Sequence, residues 1–233
     1  MKINSNSREK KPDKKSIKAI FIDQDNTIIN TSEAAHIAYS KVFEILGQEL
    51  ETDPMELFQE WRELVNNNHS ENPQDRYLRF SLQELGNKYN FTDDLKEELF
   101  DTFKEELSNK LKLINNFEFI LKKETQIKKI LFTEDVRELN EIKVEKFGLQ
   151  NQFDLIINGD DVGYMKPDLK YLQIGWNEFD LKPEECAYIG DRWEKDCELG
   201  QEMGGIGIII GRKDERADFE IESFEELEDI LIL

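Results

Sequence analysis

Two aspartates two positions apart, Asp23 and Asp25, stand inside Phe21-Ile-Asp-Gln-Asp-Asn-Thr-Ile28 of this 233-residue chain. On a strand that continued, their carboxylates would share one face. Here the run Lys18-Ala-Ile-Phe-Ile-Asp23 reads as a buried strand that ends at Asp23. Asn26 follows, and asparagine tolerates the left-handed backbone of a tight turn. Both carboxylates can then converge on a single site. Such a pair can divide labour, one ionised as nucleophile or metal ligand, the other partly protonated as an acid. Acidic residues in a solvated turn would look the same, so the pair needs corroboration.

Further positions supply it. Thr133 closes an apolar run and could donate a hydrogen bond to a phosphate oxygen. Lys166, followed by Pro167 at the start of a helix, could neutralise both a carboxylate nucleophile and a phosphate. Asp191 follows Ala187-Tyr-Ile-Gly190, and Asp196 lies five residues on. With Asp23 they could supply hard oxygen ligands to Mg²⁺, which takes carboxylates and waters in octahedral geometry. Each residue alone is unremarkable in so acidic a chain. Their order carries the argument, because each falls at a predicted strand end.

Parallel α/β sheets place their sites at the C-terminal ends of strands. Strands are expected at 18–23, 127–132, 153–157, 186–189 and 205–210, with a short last one at 217–221 before a helix from Ser223. Helical patterns separate them, such as Val136-Leu139-Ile142 and the stretch from Leu169 to Trp176. The alternation implies an α/β, Rossmann-like parallel sheet with right-handed crossovers. Between 32 and 114 the pattern is helical throughout. Ala35, Ala38, Val42, Ile45 and Leu46 share a face ahead of Gly47, read as a stop. Asp53-Pro54-Met55-Glu56 and Asn72-Pro73 mark helix starts, and Leu95, Leu99, Phe103, Leu107 and Leu111 form a ladder. The expected organisation is a disordered, Lys-rich lead-in at 1–16, a core of 17–31 plus 115–233, and an inserted α-helical cap of four helices at 32–114.

A formal charge of −20 argues against DNA or RNA as a partner. It also requires any phosphate site to concentrate positive charge locally. No apolar run reaches the length of about 18 residues that spans a membrane. The charged start lacks the apolar region of a secretory signal. Cys186 and Cys197 have neither zinc-site nor redox-motif spacing and read as buried reduced thiols, which suits a cytoplasmic protein.

Together these stretches resemble the signatures of the haloacid dehalogenase superfamily, across the core from Phe21 to Asp196. The resemblance implies that Asp23 attacks phosphorus and becomes an aspartyl-phosphate. It implies that Asp25 protonates the leaving alcohol and then deprotonates the hydrolytic water. Mg²⁺ would be held by the carboxylates of Asp23 and Asp191 and the backbone carbonyl of Asp25. Asp196 would act through water or from just outside the coordination sphere. Thr133 and Lys166 would hold the transferring phosphoryl group. Dehalogenases of the superfamily lack an aspartate where Asp25 stands, so Asp25 favours phosphoryl transfer. The expected activity is a Mg²⁺-dependent phosphatase acting on a small phosphorylated metabolite, such as a sugar phosphate or nucleoside monophosphate. A phosphomutase using the same intermediate, or a non-catalytic signalling or binding protein on the same fold, are the alternatives.

Some residues depart from the family pattern or stay open. Glu134-Asp135 stands where many relatives carry Asn-Gly or Asn-Ser. Two acids there would repel a phosphate unless they turn away or meet a hydroxyl or a cation. Arg192 either meets substrate or pairs with nearby acids. In the cap, His36, Arg62, His69, Arg76, Tyr77 and Arg79 are candidates for substrate contact, each competing with a solvated or intra-cap role.

Overall fold

The computed structural model describes residues 15–67, 78–122 and 126–232. In chain order come β1 (Lys15–Ser16), β2 (Ala19–Asp23), then the helices α1 (Thr31–Glu49), α2 (Pro54–Asn67), α3 (Leu78–Tyr89), α4 (Asp93–Lys110) and α5 (Glu118–Lys122). Next are β3 (Lys128–Phe132), α6 (Arg137–Phe147), β4 (Leu155–Ile157), α7 (Gly159–Val162) and α8 (Leu169–Phe179). The chain continues through β5 (Cys186–Gly190), α9 (Glu198–Glu202), β6 (Ile206–Ile210), β7 (Phe219–Ile221), α10 (Leu227–Ile230) and β8 (Leu231–Ile232).

Among the described residues, six strands form one sheet in the order β4-β3-β2-β5-β6-β7, every pair parallel. β2 lies inside the sheet and is buried along its whole length. Burial on both faces explains its unbroken apolar run. Ile20 and Ile22 join one apolar cluster, while Ala19 and Phe21 join another with Phe132, Tyr171 and Tyr188. Phe21 stacks on Tyr188 at 5.1 Å and meets Phe132 edge-on at 6.2 Å. The Tyr188 hydroxyl accepts from Trp176 Nε1 at 2.9 Å, so this polar tip is satisfied inside the core. The α/β parallel core is thus as expected.

Helices α1–α4 form an insertion between β2 and β3. Ala34, Ala38, Val42, Phe43 and Leu46 of α1 and Leu99, Phe100, Phe103 and Leu107 of α4 belong to the same cluster as Ile20 and Ile22. One continuous apolar mass therefore joins the insertion to one face of the sheet. Where the chain leaves and returns, Asn30 N donates to Lys112 O at 3.2 Å and Ile114 N to Ile28 O at 3.0 Å. The Asn30 side chain accepts from Lys112 N at 2.6 Å. These bonds fix the segment just after Asp25.

The structure corrects several local expectations. α1 runs through Gly47 to Glu49. Gly47 is not a stop but a close approach, because a Cβ there would lie 2.7 Å from Pro54 Cγ. Asp53 does begin α2, its Oδ1 accepting from Met55 N at 2.7 Å. Lys15–Ser16, assigned to the lead-in, pair in parallel with Leu231–Ile232. Strands of two residues are too short to leave a pattern. Residues 1–14 and the helix start at Asn72-Pro73 lie outside the described residues. Among the described residues, no helix is long and apolar enough to cross a membrane.

Candidate active site

β2 delivers Asp23 to the C-terminal edge of the sheet and then stops. Gln24 O takes the N–H groups of Ile28 at 3.0 Å and Ile29 at 3.1 Å, and Asn26 adopts a left-handed φ of 62° as its residue type suggested. The Asn26 side chain accepts from Ser32 N at 2.9 Å and so ties the turn to the start of α1. Asp23 is buried. Lys166 Nζ donates to its Oδ1, and Thr27 Oγ1 donates to its Oδ2 at 2.8 Å. Lys166, also buried, reaches Asp196 Oδ1 at 2.7 Å with its ammonium 4.3 Å from the Phe132 ring centre.

Asp191 follows β5 directly, and Asp196 sits in a π-helical turn at Trp193–Cys197. Asp196 Oδ2 accepts from Arg192 N at 3.0 Å. Asp23, Asp191 and Asp196 offer carboxylate oxygens that all lie within 4.8 Å of one another. Asp191 Oδ2 accepts from Arg212 Nη2 at 2.7 Å. Its Oδ1 is buried without a hydrogen-bond partner, with Arg192 Nε 3.8 Å away. Burial, with the charge of Asp196, pushes Asp23 up to about 8 against the pull of Lys166. The same two causes raise Asp191. Burial opposes the charge on Lys166, but Asp196 and Asp23 hold its ammonium above the usual lysine range. Lys166 serves both Asp23 and Asp196, while the arginines lie on Asp191. Three converging carboxylates, an all-oxygen donor set, and an Asp191 Oδ1 buried without a hydrogen bond fit a hard divalent cation such as Mg²⁺.

Asp25 has a different set of partners. Lys143 Nζ and Thr31 Oγ1 donate to its Oδ1, and Thr133 Oγ1 donates to its Oδ2 at 3.1 Å. The two carboxylates of the pair thus sit in one locality but with separate cations, Lys166 for Asp23 and Lys143 for Asp25. The Asp25 carboxylate stands outside the three-carboxylate cluster. Thr133, expected to hold phosphate, here donates to Asp25 and accepts from Asp135 N at 3.1 Å. Burial works against ionising Asp25, but Lys143 and the two hydroxyls hold it below the usual carboxylate range. Lys143 is fully buried and also pairs with Asp135. Burial and then the charge of Asp25 push Asp135 up to about 6.

Lys143 was not among the residues read from sequence. Its one signal is the helical stripe Val136, Asn140, Lys143, Phe147, where two polar residues occupy the inward face of α6.

A cleft of about 500 Å³ opens over these residues, with Asp25, Asp135 and Asp191 in its wall. Glu134 does meet cations: it accepts from Lys195 Nζ at 2.6 Å and Arg192 Nη2 at 3.4 Å, and from Lys166 N at 2.8 Å. Arg192 therefore pairs with acids while lining the cleft. Of the insertion, Thr31, Ser32, Tyr39 and Leu78 line the cleft. The named candidates that are described are engaged elsewhere. Arg79 pairs with Glu97 and Glu138 with its guanidinium 4.2 Å from the Phe100 ring centre, Arg62 lies 5.9 Å from that of Phe58, and His36 meets Phe58 edge-on at 6.4 Å. His69, Arg76 and Tyr77 lie outside the described residues.

Comparison with known proteins adds a family to this geometry. The glyceraldehyde 3-phosphate phosphatase of Methanopyrus kandleri is 23% identical, covering 92% of this chain and 97% of that protein. The enzyme of the same name from Methanocaldococcus jannaschii is 34% identical over 96 residues, 38% of this chain and 42% of that protein, so this match spans less than half of its length. Among solved structures, a HAD phosphatase from Thermococcus onnurineus superposes with a TM-score of 0.73 at 22% identity, over 91% of this chain and 96% of that one. The magnesium-bound HAD-hydrolase YfnB of Bacillus subtilis gives 0.67 at 19% identity, over 91% and 97%. The family model for haloacid dehalogenase-like hydrolases matches residues 19–209, from the strand that carries Asp23 to the strand beyond Asp196, and the chain belongs to that family.

Proposed function

We propose that this protein is a Mg²⁺-dependent phosphatase that hydrolyses a small phosphomonoester through an aspartyl-phosphate on Asp23. By homology it is a phosphomonoester hydrolase of its family. The observation that carries the mechanism is the setting of Asp23. It is a buried carboxylate at a strand end, with Lys166 on one oxygen, and an Asp191 oxygen without a hydrogen bond lies in the same acidic cluster.

Asp23 and Asp191 would hold Mg²⁺ by their carboxylates and Asp25 by its backbone carbonyl, with Asp196 beside them. The bound ion supplies the positive charge that lets an anionic carboxylate approach an anionic phosphate. An Asp23 oxygen attacks phosphorus as the bond to the alcohol oxygen breaks. Asp25, ionised in the free protein, takes up a proton with the arriving phosphate monoanion and gives it to that oxygen, then takes one from the water that attacks the aspartyl-phosphate and frees Asp23. Lys166 offsets the charge of the phosphoryl oxygens throughout. Thr133 exchanges Asp25 for a phosphate oxygen when substrate arrives.

Residues 17–31 plus 115–233 form the catalytic core in this reading, and 32–114 a cap that helps to select substrate. The cleft volume suits a small metabolite. Glyceraldehyde 3-phosphate and phosphoserine, named for relatives, head the substrate panel. The free, buried thiols of Cys186 and Cys197 suit a cytoplasmic setting.

The test is hydrolysis of p-nitrophenyl phosphate by wild type and Asp23→Asn, each with Mg²⁺ and with EDTA. Turnover should require both Asp23 and the metal. Activity that survives Asp23→Asn, or that is untouched by EDTA, would overturn the proposal.

A further inference from the structure

The scheme above leaves Lys143 without a task, although its placement is heavily specified. Its ammonium lies inside the protein between two carboxylates, Asp25 and Asp135, both of which reach the cleft. Stability is a poor reason for such a bridge, since buried ion pairs are commonly replaced by apolar residues at no loss. The helix that carries it is locked from the same side. Asn140, one turn before Lys143 on α6, accepts from Gln24 Nε2 at 2.5 Å and donates to Asn158 Oδ1. Asn158 Nδ2 in turn donates to Asp161 Oδ2 at 3.1 Å, which ties α6 to α7 as well as to the residue before Asp25.

The division of labour on the Asp25 carboxylate is asymmetric. Oδ1 takes both Lys143 and Thr31, whereas Oδ2 takes one hydroxyl, from Thr133. We propose that Lys143, braced by Asp135, is a positioning residue: it pins Oδ1 of Asp25 and so presents Oδ2 as the oxygen that exchanges protons with substrate and water. The inference rests on the reading of Asp25 as acid and base. In the first half-reaction Oδ2, ionised in the free protein, takes a proton from the arriving phosphate monoanion and passes it to the alcohol oxygen as the phosphorus–oxygen bond breaks. In the second, Oδ2 takes a proton from the attacking water. Lys143 keeps its three protons through both.

Leaving groups separate this role from a structural one. p-Nitrophenolate departs without a proton, whereas an alkoxide needs one, and kcat/KM reports the steps up to that first cleavage. The experiment compares kcat/KM for p-nitrophenyl phosphate with that for the best alkyl phosphate of the panel, in wild type, Asp25→Asn, Lys143→Met, Lys143→Arg and Asp135→Asn. Circular dichroism checks that each variant is folded. Lys143→Met should lose about 10²-fold on the alkyl ester and less than about 10-fold on the aryl ester, the same skew as Asp25→Asn. Lys143→Arg, which keeps a cation, should recover part of the alkyl loss. Equal losses on both esters in folded Lys143→Met would overturn the assignment. If Lys143→Met does not fold, Asp135→Asn decides: a skew of a few-fold toward the aryl ester supports the role, and none overturns it. Turnover that survives Asp23→Asn would instead sink the phosphatase reading itself. Turnover that requires Asp23 without any skew would sink only the role of Lys143.

Discussion

Gly190 and Asp196 pack so tightly that a side-chain carbon at position 190 would overlap the Cβ and carboxylate of Asp196. The end of β5 and the π-helical turn therefore meet with no room for a methyl group. Asp196 is in turn held by Lys166 Nζ at 2.7 Å and Arg192 N at 3.0 Å, so a push on it reaches both. Gly190→Ala should weaken Mg²⁺ binding by about 10–100-fold, the usual cost of disturbing groups that orient metal ligands. Activity titrated against Mg²⁺ concentration measures this directly. An unchanged metal requirement would show that Asp196 plays no part in shaping the site.

Metal-free protein should lose stability as pH rises from about 4 to about 8. Asp23 is pushed up to about 8 in the fold, whereas an unfolded aspartate titrates near ~3.9. Between those values the native state holds a proton that the unfolded chain lacks, so stability falls as pH climbs through the window. Mg²⁺ takes the place of that proton. Calorimetric titration near neutral pH, in buffers of different ionisation heat, should show close to one proton released per ion bound. Asp23→Asn should abolish the release and flatten the metal-free pH profile between about 6, where Asp135 has titrated, and about 8. Binding with no proton release in wild type would contradict the account.

Replacing Glu134 should not free a repelled substrate. Its carboxylate is already met by Lys195, Arg192 and the Lys166 backbone N–H. Glu134→Asn should therefore lower kcat/KM by a few-fold, because the segment that presents Lys166 loses its anchor and Arg192 loses a partner. A rise in kcat/KM would restore the view that this acid repels phosphate.

What the sequence disclosed and what it withheld follow from the range of the interactions. The placement of Asp23, Thr133 and Asp191 at strand ends was legible because each closes or follows a short apolar run, and a buried parallel strand leaves little else to read. Asn26 was legible because a left-handed φ restricts residue type. The separate partners of Asp23 and Asp25 were not, since a lysine within a helix pattern reads as solvated until the rotation of α6 is known. Only then does Lys143 fall on the inward face beside Asn140. The quieting of Glu134 depended likewise on Arg192 and Lys195, 58 and 61 residues away in the chain. Gly47 misled because a glycine at a close approach looks the same as a glycine that ends a helix.

The claim on which the rest depends is that phosphorus is transferred to Asp23 itself. Wild-type protein mixed with Mg²⁺ and the best substrate, quenched in acid during turnover and digested for mass spectrometry, tests it most directly. The account expects one phosphoryl group on the peptide that carries Asp23, lost on standing in base and absent from Asp23→Asn. Steady turnover with no adduct, or with the phosphoryl group on another residue, would contradict it.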